Sequence, residues 1–218
     1  MDRLSPLDAL FLHAEDGISH MHIASCAIFA GPTPPFEDLL RLVESKLPRL
    51  VRYRQRIRFV PGAIGRPVWV DDPHFNLGYH VRHTSLPAPG SEQDLRNLMG
   101  RVMSQQLDRN RPLWEAWVTE GLDGDRWAIV SKVHHCMVDG ISGTDLLAAL
   151  LDVTPDADPL PIEEWQPRPE PDDAQLVADA LSDLVRSPYE QLRAVRASVR
   201  APKRVLGRLT TVADGLRS

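Results

Sequence analysis

The strongest constraint on the fold is an alternation of short apolar runs with stripes of helical period, each closed by proline or glycine, over residues 21–151. Met21–Ala30 (MHIASCAIFA) is short, apolar and followed by Gly31-Pro32, as expected of a buried strand. Phe36, Leu39, Leu40, Val43 and Leu47 share one helical stripe between Pro34-Pro35 and Pro48, which predicts a helix over 36–47. Ile57–Val60 and Pro67–Val70 flank Pro61-Gly62 and Gly65 and read as a hairpin-like pair, with Pro67 confined to a strand start or edge. Leu95, Leu98, Met99, Val102, Met103 and Leu107 predict a second helix over 92–107. Leu113–Thr119 and Trp127–His134 read as strands joined by the turn sequence Leu122-Asp123-Gly124-Asp125. Ser142 is suited to cap a helix running to about Leu151. Strands alternating with helices define an α/β class, a mixed sheet with flanking helices.

The organisation changes after residue 153. Six prolines fall between Pro155 and Pro171, so 154–173 reads as an extended, surface-lying linker. Residues 174–218 read as helical, with helices over 174–186 and 189–200 separated by Ser187-Pro188. The 218 residues thus suit one domain, 1–153, plus a tail.

Charge follows the same division. From Arg186 onward eight basic residues face two acidic ones, a net +6, so the −5 of the whole chain leaves −11 on residues 1–185. An acidic body with a basic tail does not suit general nucleic-acid binding. In the tail, Leu192, Val195, Val199, Leu206 and Leu209 run beside Arg193, Arg196, Arg200, Arg204 and Arg208. Two readings stay open: a basic amphipathic surface on a membrane or lipid droplet, or an apolar stripe packed on protein with arginines snorkelling at its rim. No apolar run reaches the roughly 18–20 residues of a membrane span, and the start of the chain lacks a cleavable signal pattern. The expectation is a cytoplasmic protein, peripheral to membranes at most. The two cysteines, Cys26 and Cys136, do not make a disulfide scaffold.

The chemistry concentrates in Ser131-Lys132-Val133-His134-His135-Cys136-Met137-Val138-Asp139-Gly140, where a strand ends in two histidines and a turn leads into the next helix. Neighbouring strand residues face opposite sides, so His134 and His135 are expected to divide between the interior and a cleft. Histidine's ordinary pKa of about 6.5 suits a general base near neutrality, with Asp139 fixing the turn and Gly140 permitting it. Adjacent histidines are poor metal ligands, and no metal site is expected. Adjacency alone does not make Cys136 a histidine-activated nucleophile. Two histidines beside a turn are, in most proteins, satisfied polar residues.

Val133–Gly143 resembles the HHxxxDG signature of the CoA-dependent acyltransferase superfamily, which includes chloramphenicol acetyltransferase and peptide-synthetase condensation domains. Leu4-Ser5-Pro6-Leu7-Asp8-Ala9-Leu10-Phe11, Met21-His22-Ile23, Val70-Asp71-Asp72-Pro73, Tyr79-His80-Val81, Leu107-Asp108-Arg109 and Arg111-Pro112-Leu113-Trp114-Glu115 are similar, in order, to motifs of the bacterial wax ester synthase/diacylglycerol acyltransferase family. The resemblance implies a chloramphenicol-acetyltransferase-like half-domain followed by a helical crossover. It implies transfer of a long-chain acyl group from acyl-CoA, a co-substrate and not a cofactor, to diacylglycerol or a long-chain alcohol. His135 would be the general base, His134 supporting, and Asp139 structural with Gly140. Pro112, Leu113 and Trp114 would form the motif associated with the acyl tunnel.

Family enzymes resemble two α/β halves joined by a crossover, and this sequence matches the first half and part of the crossover. Three expectations follow. The chain is an acyltransferase or the N-terminal part of one; or it is a truncated, inactive or partner-dependent piece that binds lipid or acyl-CoA; or, less in keeping with its motifs, it is a condensation-type transferase on another acceptor. The second expectation predicts an exposed apolar face that seeks a C-terminal half or a second copy of the chain.

Overall fold

A computed structural model describes residues 1–138, 161, 162 and 164–186. The expected helix after Ser142, the region after residue 186, and Asp139 and Gly140 lie outside the described residues. The chain forms two compact units, residues 1–59 with 66–171, and 60–65 with 172–218. In the second, α5 (Asp173–Arg186) packs with the 3-10 turn Pro61–Ala63 and buries Leu176 and Ala180, one helical turn apart.

Among the described residues the first unit holds two sheets. One is small and antiparallel, in the order β1 (Asp2–Arg3), β4 (Val68–Asp71), β3 (Gln55–Arg58). The other is four-stranded and mixed, in the order β2 (His22–Ala30), β7 (Arg126–His134), β6 (Trp114–Leu122), β5 (Val81–Ser85). Only β5 and β6 run parallel; β2 pairs with β7 and β7 with β6 antiparallel. Among the described residues, the helices α1 (Pro6–Ala14), α2 (Phe36–Lys46), α3 (Leu77–His80) and α4 (Glu92–Ser104) accompany these sheets.

Strand alternation divides the large sheet into two apolar faces. Trp114, Ala116 and Val118 of β6, with Trp127, Ile129 and Val133 of β7, meet Val43 of α2 and Leu47 just beyond it. On the opposite face, Ala128 and Val130 of β7 and Leu122 of β6 meet Leu95, Leu98 and Val102 of α4. The sheet is thus sandwiched between the two helices whose apolar stripes the sequence displays. The elements expected at 21–30, 36–47, 57–70, 113–134 and 174–186 form with shifts of one to three residues at their ends.

α4 is shorter than its stripe. It ends at Ser104 because Gln105 is extended, and Leu107 joins a different cluster with Leu4, Leu12 and Leu113. The carbonyls freed at this end are claimed from the sheet. The Nζ of Lys132 on β7 donates to Val102 O (2.7 Å) and Gln105 O (2.9 Å) and pairs with Glu115 on β6 at 2.5 Å. A lysine that is 1% exposed is tolerable only with such partners. At the other end a capping box closes the helix, Ser91 Oγ accepting from Asp94 N and the Asp94 carboxylate from Ser91 N.

Residues 164–171 contain no helix or strand and belong to the first unit. They are tied to the small sheet. Arg168 donates to both carboxylate oxygens of Asp71 (Nη2 at 2.9 Å, Nε at 3.1 Å), and Glu170 pairs with Arg56 at 2.5 Å. Arg168 beside it holds the Asp71 carboxyl well below the ordinary range, at about 2.

Candidate active site

α1 and the end of β7 build the site. Ser5 caps α1, its Oγ accepting from Asp8 N at 3.1 Å, and Pro6 takes the first turn, where no N–H is needed. The apolar side of the helix, Ala9 and Leu12, packs with Leu4, Ile57, Trp69, Leu113 and Cys136. This cluster holds α1 against the 3-10 turn His135–Met137, which follows β7 directly.

The two histidines separate as the alternation argument expects, although β7 ends between them. His134 is the last strand residue and wholly buried; His135 opens the turn and is half-buried. His134 Nδ1 accepts from Cys136 N at 3.1 Å, so a neutral ring carries its proton on Nε2. Nε2 faces Glu15 Oε2 at 3.7 Å, beyond hydrogen-bond reach. Burial lowers the His134 pKa to about 4 despite the opposing pull of Glu15, so near neutrality the ring is uncharged. Its backbone N–H donates to Leu113 O at 3.0 Å.

His135 is anchored differently. Its backbone N–H donates to Met21 O at 2.9 Å. Its ring stacks on Phe11 of α1, with centroids 4.9 Å apart and planes inclined by 23°. Among the described residues no side chain hydrogen-bonds its ring nitrogens.

Beneath both lies a group that motif reading did not single out. Glu15 caps the C-terminus of α1, and its side chain is 1% exposed. Its Oε2 accepts from Arg109 Nη2 (2.6 Å) and Nε (3.1 Å), and its Oε1 from Met21 N (3.2 Å). Burial raises its pKa, but the bonds from Arg109, Gln106 and Met21 outweigh that and leave it below the ordinary carboxylate value. Arg109 also donates to Leu12 O at 2.9 Å. Arg109 stands in a sequence motif, but the pairing of residues 94 positions apart is not visible there.

Cys136 is buried, and desolvation pushes its thiol far up, which removes it as a nucleophile. Leu113 is fully buried in the α1 cluster. Trp114 is 1% exposed; its indole donates to Tyr53 O (2.8 Å), and it stacks on His80 at 4.7 Å. Pro112 and Trp114 line a pocket of about 200 Å³ with Tyr79, Arg82, Gln106 and Glu115. His80 lies between Trp114 and Phe75, donates from Nδ1 to Trp114 O at 2.8 Å, and is held by burial at a pKa of about 4. His22, opposite His134 across β2 and β7, donates from Nε2 to Met103 O at 2.9 Å. Among the described residues no three His, Cys, Asp or Glu side chains converge as for a metal ion. Nor is any described helix long and apolar enough to cross a membrane.

A mixed sheet between helices, with a histidine pair at the end of an inner strand, places the chain in the chloramphenicol-acetyltransferase-like fold. A condensation domain of the calcium-dependent antibiotic synthetase shares it with a TM-score of 0.54 at 19% identity, over 64% of this chain and 33% of that one. Within that fold the chain belongs to the wax ester synthase/diacylglycerol acyltransferase family, whose catalytic-domain profile matches residues 4–218. The wax ester synthase/diacylglycerol acyltransferase from Marinobacter aquaeolei VT8 aligns with a TM-score of 0.59 and 29% identity, over 86% of this chain and 46% of that one. Among curated relatives, the probable diacylglycerol O-acyltransferase tgs1 of Mycobacterium tuberculosis is 48% identical over 154 residues, 70% of this chain and 33% of the relative. The probable diacylglycerol O-acyltransferase tgs3 of the same species is 36% identical over 199 residues, 90% of this chain and 73% of the relative. The chain therefore spans about a third of one relative's length and nearly three-quarters of another's.

Proposed function

We propose that the chain carries the general base of an O-acyl transfer from long-chain acyl-CoA to diacylglycerol or a long-chain alcohol, and that His135 is this base. The observation that carries the reading is the contrast between the two imidazoles. His134 is buried, with Nδ1 engaged by the backbone, whereas His135 is half-buried on an aromatic platform with its ring nitrogens unclaimed by described side chains. His135 takes the proton of the acceptor hydroxyl as that oxygen attacks the thioester carbonyl. The C–S bond then breaks, and the imidazolium returns the proton to the departing CoA thiolate. No covalent enzyme intermediate is needed, only two substrates held in line around one ring.

His134 is supporting in this scheme. It accepts the N–H of Cys136, the second residue of the turn, and so fixes the path of the backbone around His135. Asp139 and Gly140 complete the motif as structural residues. Pro112 and Trp114 border the substrate side, and Leu113 contributes through the carbonyl that holds His134.

The test supplies labelled palmitoyl-CoA with dioleoylglycerol or hexadecanol to the chain alone, and to the chain mixed with the segment that completes the length of its longer relatives. Ester formed in either preparation supports the reading. Ester absent from both, with the protein folded, overturns it. The chain spans 33% and 46% of two longer relatives, and ester formed only after the second segment is added would identify a partner-dependent part of the enzyme.

A further inference from the structure

Phe11 and Glu15 are one helical turn apart on α1, and Glu15 N donates to Phe11 O at 3.1 Å. Each reaches His135 by its own route. Phe11 supplies the face on which the imidazole stacks. Glu15 reaches the backbone of His135 through one residue: its Oε1 accepts from Met21 N (3.2 Å), and Met21 O accepts from His135 N (2.9 Å). The same carboxylate is fixed from the other side by two bonds from Arg109, which also donates to Leu12 O on α1.

We propose that α1 is a positioning clamp for the His135 imidazole, with Glu15 and Phe11 as positioning residues and Arg109 as the group that holds Glu15 in place. The inference rests on the reading of His135 as the base. A carboxylate taken out of water is costly unless its lone pairs are filled, and Glu15 fills them from Arg109 and from Met21 N, the second of which leads on to His135. A charge-assisted bond to a backbone N–H is stronger than a neutral one, so Glu15 holds the Met21 N–H and thereby the residue whose carbonyl accepts from His135 N. A catalytic ring must stay within a fraction of an ångström of its working position, and it is here constrained both at its backbone and at its face. Motif reading places Phe11 and Arg109 in separate motifs and omits Glu15; the geometry makes them one device.

The experiment is NMR of the full chain with ¹³C-labelled histidine, which needs no turnover. His135 is assigned by the loss of its Cε1–Hε1 cross-peak in H135Q. A proton over the face of Phe11 is shielded, so F11L is expected to move that peak downfield. E15Q replaces one acceptor oxygen with a donor and so breaks the bridge on one side; it is expected to move the peak in the same direction. E15D keeps the charge but withdraws the carboxylate by one methylene and is expected to do likewise. The His80 cross-peak, shielded between Phe75 and Trp114 and away from α1, stays in place and reports an intact fold. A His135 peak at its wild-type position in whichever of E15Q or E15D keeps the His80 peak overturns the clamp. The underlying reading fails separately, if H135A forms ester as fast as the wild type.

Discussion

Lowering the pH should unfold this chain through His80 and His134. Both are fully buried neutral imidazoles, and both are held at about 4, against the ordinary 6.5, principally by burial. The unfolded chain takes up protons near 6.5 and the folded chain only near 4. Between those values the unfolded state binds more protons, so stability falls as pH falls. The shift corresponds to about 3 kcal/mol per histidine, or about 6 kcal/mol for the two, on the order of the ~5–15 kcal/mol that hold a typical domain together. His22, also lowered chiefly by burial, acts in the same direction. Asp71 does not confuse the window: its stabilising pairing is present above 3.8 and is lost only as pH falls toward about 2. Urea unfolding followed by tryptophan fluorescence from pH 7.5 to 4.5 measures the effect. In H80N and H134N an amide stands in for Nδ1 without titrating, and each should remove about half of the histidine-linked decline. A wild-type stability that is flat over this range, or an H80N/H134N double variant as steep as the wild type, refutes the reasoning.

Other consequences concern packing and reactivity. K132M should lose ~3–5 kcal/mol in urea unfolding at neutral pH, because it removes the nearest cation from the buried Glu115 carboxylate, leaving Arg82 at 3.6 Å, and the side-chain donor from two carbonyls at the end of α4; a loss below ~1 kcal/mol would show the pair to be dispensable. Cys136 should resist a thiol reagent in the native chain and react once urea is added, as read by mass spectrometry; rapid native labelling would contradict its burial and raised pKa. G90A should destabilise by roughly 2 kcal/mol or more, since Gly90 has φ +74° and a Cβ there would lie 1.8 Å from Gly121 O; an unchanged unfolding midpoint would show that this turn yields.

The periodic elements were legible because their signals are local. The stripes of α2 and α4 and the apolar runs of β2, β6 and β7 each carry their own pattern, and the helices duly cover the two faces of the sheet. β5 escaped because Val81–Ser85 is short and mostly polar; it is a strand only through parallel pairing with β6, more than 30 residues onward. Leu107 was assigned to the wrong element for a related reason. It continues the stripe of α4 but is buried in the cluster around α1. In the site, strand alternation anticipates only that His134 and His135 part into a buried and a half-buried side chain; which of them would act as base comes from the family resemblance. Glu15 was not legible, because nothing local marks one acid among many. Its significance comes from Arg109 and Met21, which only the folded chain brings to it.

The central claim, that His135 is the base of the acyl transfer, is tested most directly by comparing H135A with the wild type in whichever preparation forms labelled ester from palmitoyl-CoA. A general base contributes about 10²–10⁴-fold. The account predicts a loss of that size in H135A, with the fold intact by the His80 resonance. Ester formation in H135A within a few-fold of the wild type would contradict it.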